Sequence, residues 1–455
     1  MKRTLAVLYI LGISFSGIAQ DKSFDLSKYK FPDYKRHELE FNFSSNGSTN
    51  KSESFYNDQY FKSTSSKNHS NADIGYTFKS LSRKKIDYLH SSISGIFDLS
   101  KNKSYSATDA IKNIDLNTQL QFYWDRQVYW KEDKWFLDIT SQVNYNHQKN
   151  NKIYPQSDSQ KDVYQNVNIG IGFGIGVGRI ESVSDLVQSW YILSKLKKQK
   201  SLARELDEKD IFEFAKFASK LKNKRFFDSR LREIAELQAL DSVLHNSGLI
   251  ENNDISYFTT LNDLWSYGSF GSRYSGNVLT FWLGPEYSTS ISKTYSAENK
   301  AIESTTYGGQ NLRFVSFKQL NLFWDCNFFM GLHNRTFINQ TSSSEVSSIT
   351  RQSNLFNANA GFGFGFYPDS RTSISFSFGY YGNDQPSTIY DEQTGIVEIK
   401  SWANNINSSI KGIFYISPQF QITGDFGLNY YHYNDSYKSK SFSTNYNIGL
   451  RYAIF

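Results

Sequence analysis

The stretch Ile114-Asp-Leu-Asn-Thr-Gln-Leu-Gln-Phe-Tyr-Trp124 alternates between apolar and polar residues along its length. A period of two puts the apolar side chains on one face of an extended strand and Asp115, Asn117, Gln119 and Gln121 on the other. Trp135 to Tyr145 repeats the pattern, as does Leu320 to Phe328, carried on through Met330 and Leu332. Strands of globular proteins usually run about 5–6 residues, whereas a tilted strand crossing a bilayer needs about 9–11. The second face, rich in Asn, Gln, Asp and Ser, suits a wetted lumen and not a dry core. A soluble two-sheet β protein would also alternate, but with shorter strands and fewer clustered aromatics.

Strands are expected around residues 36–44, 70–79, 85–99, 112–130, 134–147 and 162–178, and again around 276–292, 304–317, 319–335, 353–367, 371–382, 396–416, 419–433 and 441–455. Their connections fall into two classes. Leu81–Lys84, Lys131–Lys134, Pro368–Arg371 and Ser417–Gln419 are short; Ser45–His69, His147–Lys161 and Thr336–Gln352 are long and polar. Transmembrane barrels have short periplasmic turns and longer external loops. The expected fold is therefore an all-β membrane protein, an antiparallel transmembrane β-barrel of 14 strands with an inserted α-helical bundle.

Composition agrees with that reading. Mean hydropathy is −0.54 despite 37 Phe and 31 Tyr, as expected of strands that are apolar on one side only. The opening MKRTLAVLYILGISFSGIAQ has a basic start, an apolar run and small residues before Gln20, so residues 1–19 read as a signal peptide. Cys326 is the only cysteine, which excludes an internal disulfide. The net charge of +6 is mild and the basic residues are scattered, so nucleic acid is not an expected partner.

Gly170, Gly172, Gly174, Gly176 and Gly178 occupy alternate positions of the sixth strand, with Ile171, Phe173, Ile175 and Val177 turned outward to lipid. Gly361, Gly363 and Gly365 repeat the device beside Phe362, Phe364 and Phe366. The spacing does not fit a phosphate-cradling GxGxxG loop. Two readings stand: glycine permits the bend that closes a barrel, or another backbone, an external loop folded inward or part of the segment that follows, approaches closely from inside.

Residues 179–268 break the strand pattern and divide the barrel into 20–178 and 269–455. Helices are expected from Ile180 through the lysines at 195–200, from Asp207 to Leu221, from Asp228 to His245 and from Asp254 to Trp265, with Asp207 or Asp210 as a cap and Gly248 as a terminator. Each carries one apolar stripe, which suits a small bundle. Strand parity puts this bundle on the periplasmic side, where it caps the lumen or meets a periplasmic protein. Phe212, Phe226 and Phe227 are the candidate docking residues.

Several segments resemble outer-membrane barrel proteins of the Bacteroidota. They are Asp25–Arg36 leading into the first strand, Gly176–Asp185, Lys224–Arg230, the cleavage site before Gln20 and the ending Leu450–Phe455. The resemblance spans essentially the whole chain and implies architecture: a barrel in outer-membrane lipid, inserted by the barrel-assembly machinery. No activity comes with it. Phe455 reads as the assembly signal, one residue out of phase with the apolar set Tyr446, Ile448, Leu450, Tyr452 and Ile454.

Catalytic signals are weak. His432 has Asp435 and Ser436 nearby, but Tyr430–Ser436 reads more simply as an interfacial aromatic band with a polar loop. No spacing suggests a metal or cofactor, and no enzyme is expected. The strand register instead directs Asp115, Asp125, Asp138, Asp325 and Asp425, against Arg313, Lys411 and Arg451, into the lumen. The expected function is a passive channel or binding barrel for small polar solutes, capped or gated by the insert, with weak cation preference if open. The competing reading is a non-conducting envelope scaffold whose insert docks a periplasmic partner.

Overall fold

The structure is a computed structural model and describes residues 25–56, 59–104, 111–130, 134–154, 160–223, 229–251, 253–267, 272–294, 299–343, 349–391, 395–417, 420–434 and 438–452. The expected signal peptide and Phe226, Phe227, Asp435, Ser436 and Phe455 lie outside these residues.

Six strands come first: β1 Tyr34–Tyr56, β2 Gln59–Leu81, β3 Lys85–Ser104, β4 Ile111–Trp130, β5 Trp135–Ile153 and β6 Gln160–Ser182. Four helices follow: α1 Ser184–Lys198, α2 Glu208–Asn223, α3 Ser229–Asn246 and α4 Ile255–Tyr267. Then come β7 Tyr274–Thr294, β8 Asn299–Gln319, β9 Trp324–Ser343, β10 Ile349–Phe366, β11 Thr372–Asp391, β12 Gly395–Ser417, β13 Phe420–Asn434 and β14 Lys438–Tyr452. The 14 strands form one antiparallel sheet in chain order. None of the described helices is long and apolar enough to cross a membrane.

Alternation sorts the side chains onto two faces. On β6, Ile169, Ile171, Phe173 and Ile175 are exposed on the outer face while Gly170 to Gly176 are buried on the inner one. The strands run further than the alternating pattern indicates. Most of Ser45–His69, expected as a loop, is strand, with pairing from Ser45↔Ser70 to Tyr56↔Gln59. His147–Lys161 and Thr336–Gln352 are likewise extended hairpin arms over most of their length. Their Ser, Thr and Asn residues have no apolar face to advertise, yet the backbone ladder continues and side chains bridge it, as in Ser65 Oγ to Asn102 at 2.7 Å. At the other end, Leu320–Phe323 is turn and not strand. Asn321 Oδ1 accepts from the Phe323 and Trp324 amides, both at 2.8 Å, which frees Leu322 to pack against the helices.

The helical insert leaves and rejoins the sheet at one place. Ile180 stays in β6 opposite Gly276, and α1 begins only at Ser184. Ser182 pairs with Tyr274, and the Val183 amide donates to the Arg273 carbonyl at 2.9 Å. Gly178 (φ 98°) and Gly276 (φ 119°) face the carbonyls of Asn277 and Arg179, too close for any side chain. Asp207 caps α2 by accepting from the Asp210 amide at 2.7 Å, and α3 ends at Gly248 with φ 65°.

The bundle core is Leu186, Ile192, Leu193, Leu196, Phe214, Ala218, Leu240, Leu244 and Leu261. Leu26 and Tyr29, from the segment ahead of β1, are buried in the same core. Tyr29 Oη lies 3.0 Å from Ser219 Oγ, which donates to Asp185 at 2.7 Å. Phe212 of α2 packs with its ring centroid 6.0 Å from that of Tyr29, against this segment, which straps the bundle ahead of β1.

Among the described residues no pairing joins β1 to β14. Outer-face residues on these edges are correspondingly open: Phe41 is 69 % and Ile448 77 % exposed, against 43 % for Ile169 and 40 % for Phe281 inside the sheet.

Candidate functional site

The inner faces of β4 to β9 enclose a cavity of about 570 Å³. Its shape follows from the glycine strand. Side chains at Gly172 and Gly174 would overlap the Trp282 indole, which reaches across from β7, and one at Gly176 would overlap the Phe136 ring from β5. Gly170 is covered by the Gln142 side chain. The close approach at these positions is therefore by side chains of the two neighbouring strands and not by another stretch of backbone entering from inside; backbone is met only within the sheet, at Gly174 by the Phe281 carbonyl and at Gly178 by that of Asn277. The second glycine set behaves alike: Gly361 lies under Phe329, Gly363 under Asn327, and Gly365 under Asp325 and Tyr367.

Acidic and basic groups line different walls. Asp125 and Asp138, on the adjacent strands β4 and β5, face the cavity beside Tyr123, Gln127 and Thr140. Their carboxyl groups lie within hydrogen-bonding reach of each other. Asp138 is 8 % exposed, and its Oδ1 has no hydrogen-bond partner. Across the cavity are Arg313 on β8 and His333 and Arg335 on β9. Arg335 stacks over Tyr307 at 5.3 Å and lies 3.7 Å from Glu286, whose other oxygen accepts from Asn168 at 2.7 Å.

The turn end of the cavity is floored by bulky side chains. Tyr129 and Phe136 are buried with ring centroids 5.0 Å apart, and the Arg179 guanidinium sits 4.8 Å over the Tyr129 ring. Arg179 donates to the carbonyls of Ser82 and Arg83 at 2.9 and 3.1 Å and pairs with Glu181 at 3.1 Å. Glu181 also binds Arg83 at 2.5 Å and accepts from the Phe31 amide at 3.3 Å, so it joins β6, the β2–β3 turn and the strap.

The bundle is fastened below this floor to turns well separated in the sheet. Arg273, 2 % exposed, donates to the carbonyls of Leu322 (2.6 Å) and Asn321 (3.2 Å) and to Gln319 Oε1. Its Nε is an ion-pair partner of Asp325 at 3.4 Å, and its guanidinium lies 4.6 Å over the Tyr367 ring. Burial, followed by the charge of Asp325, pushes the Tyr367 hydroxyl up to about 12, so it stays protonated. Tyr191 of α1 donates to the Tyr367 carbonyl at 3.3 Å, Trp190 meets Phe323 edge-on at 6.4 Å, and Arg371 pairs with Asp263 of α4 at 3.5 Å.

The charges expected in the lumen thus divide. Asp125, Asp138 and Arg313 line one cavity. Asp325 is committed to Arg273. Asp425 and Lys411 face each other across β12 and β13, far along the sheet from the cavity, and Asp115 accepts from Asn113 at 2.9 Å further up β4. His432 stacks edge-on against Trp402 at 4.7 Å. Among the described residues no cluster of His, Cys, Asp and Glu has metal-binding geometry. Sequence reading passed over Trp282, Glu286, Tyr307 and Arg335. The even positions of β7, from Val278 to Glu286, held the signal, since they share one face.

No family model and no curated protein matches the chain. Solved structures do. The transport unit of the autotransporter AIDA-I from Escherichia coli matches at 10 % identity and TM-score 0.23, over 95 % of this chain and 94 % of that one. The translocator domain of the autotransporter NalP from Neisseria meningitidis matches at 7 % and 0.23, over 100 % and 98 %. The alcaligin outer-membrane receptor FauA from Bordetella pertussis matches at 5 % and 0.37, over 91 % and 64 %. Likenesses with scores this low carry no argument about this chain.

Proposed function

We propose that the chain is an outer-membrane β-barrel that takes small polar solutes into its lumen and is capped at the periplasmic end by the helical bundle. The observation that supports this most is the fastening of the bundle to the β8–β9 and β10–β11 turns, and of the segment packed against it to the β2–β3 turn, at the same end of the sheet as a floor of buried side chains. An anchor for a distant partner has no need to lie across that end.

Closure of the barrel belongs to this reading. Unpaired backbone is costly in lipid, so β1 and β14 are expected to pair antiparallel in the membrane. Amide exchange of the protein folded in lipid vesicles tests it. Protection along Glu38–Phe43 and Tyr446–Leu450 should match that of Leu279–Leu283 in mid-sheet; free exchange at both edges would show an open sheet.

The cap is tested by planar-bilayer conductance. Because Val183 and Arg273 are hydrogen-bonded neighbours, residues 184–272 can be replaced by a short Gly-Ser turn without moving the β6–β7 register. Conductance should be low in the full chain and rise at least tenfold in the replaced one. The scaffold reading draws on exposed Ile255 (84 %) and Phe258 (44 %) at the start of α4. A folded protein silent in both forms would support it and sink the cap.

A further inference from the structure

We propose that the cavity receives a short zwitterionic, peptide-like solute, with its ammonium end held by Asp125 and Asp138 and its carboxylate end by Arg313. The inference rests on reading the inner face as a solute-binding lumen and adds the class of solute.

Nearby charges on the inner face are neutralised within the protein: Glu286 by Asn168 and Arg335, and Asp325 by Arg273. Three groups lining the cavity are left over. Arg313 has no ion pair or hydrogen bond among the described residues, and Asp125 and Asp138 have no cation beside them. Asp138 Oδ1 is unpartnered in a residue more than nine-tenths buried. Two carboxyl groups held together away from water can share a proton, which still leaves one net negative charge for a positive, hydrogen-bonding group to neutralise. A ligand ammonium supplies both charge and donors. The lone guanidinium on the opposite wall offers a fork that fits a carboxylate.

The spacing sets the length of the solute. β5 and β8 are three strand steps apart, about 14 Å along the sheet at about 4.8 Å per step. Side chains reaching inward from a curved wall shorten the distance across. A free α-amino acid is too short, while three extended residues reach about 10–11 Å. A volume of about 570 Å³ accommodates such a molecule, within the usual range of roughly 300–1,000 Å³ for small-molecule pockets. Trp282, on β7 between the strands that carry the charged ends, and Tyr123 and Phe317 elsewhere on the cavity wall give apolar contact without selecting a sequence.

The test uses the full chain refolded in detergent, with calorimetry and tryptophan fluorescence as readouts. The probes are trialanine, N-acetyl-trialanine and trialanine amide. Trialanine should bind saturably, and capping either end should weaken binding at least tenfold. In Asp138→Asn the penalty for acetylation should vanish while that for amidation remains; in Arg313→Gln the reverse should hold. A heat-modifiable gel shift confirms that each variant folds, and the capped probes decide the matter on the unaltered chain should a variant fail to. Absence of saturable trialanine binding, or capped forms that bind as tightly as trialanine, would overturn the proposal. Conductance is measured separately, so a cap that opens without trialanine binding removes the solute class and leaves the channel.

Discussion

Arg273→Ala is expected to destabilise the junction between sheet and bundle by about 3–5 kcal/mol, the usual cost of stripping one partner from a buried ion pair. The side chain does several jobs at once. It neutralises Asp325, satisfies the carbonyls of Asn321 and Leu322 and the Gln319 amide oxygen, and stacks on Tyr367. Alanine leaves all of these in a place water does not reach. The free energy should register as opening of the bundle, because the β8–β9 turn that Arg273 grips also carries Leu322 into the bundle core. Trypsin cleavage of the exposed lysines at the end of α1, measured on protein in lipid vesicles, reports that opening. The rate should rise by about two to three and a half orders of magnitude, at about 1.4 kcal/mol per tenfold. Arg273→Lys keeps the charge but not the fork, and should fall between the two. Unchanged cleavage in the alanine variant would show that the bundle is held by the strap and α1 contacts alone.

The sheet was legible because its physics is local. Period-two alternation needs no knowledge of distant residues, and it gave strand number and face correctly from Ile114–Trp124 and its repeats. Strand length beyond the apolar zone was not legible, since the Ser- and Asn-rich arms of β1 and β2 carry no face contrast and are held by backbone pairing. Helix limits were nearly legible because Asp207 and Gly248 are chemical end signals. The site was legible one wall at a time. Parity sent Asp125, Asp138 and Arg313 to the inner face, but which charges neutralise one another depends on sheet curvature and on turns meeting the bundle. Asp325 shows the difference: its partner Arg273 lies outside the strands, where alternation has nothing to say.

The glycines of β6 mark the same boundary, and they lead to the second large effect. Gly172→Ala places a methyl group where the Trp282 indole now lies, with Thr140 Oγ1 also close. The backbone here is paired to β5 opposite Thr140, although the β7 ladder skips Ile171 and Gly172, so the strand is held on one side and the ring is the part that moves. Overpacking of this kind costs about 1–3 kcal/mol. The direction of escape matters more than the cost. Behind Trp282 stands its own strand; ahead lies the cavity, which the displaced ring would fill. Gly172→Ala should therefore lose trialanine binding altogether while still giving a folded, heat-modifiable band. Trp282→Ala should keep the fold and enlarge the cavity. In the Trp282→Ala background the Gly172→Ala change should become nearly neutral, a coupling of about 1–3 kcal/mol in denaturant unfolding. Additive effects of the two changes would mean that the glycines serve sheet curvature alone, and that the seat they form for Trp282 is incidental to the shape of the cavity.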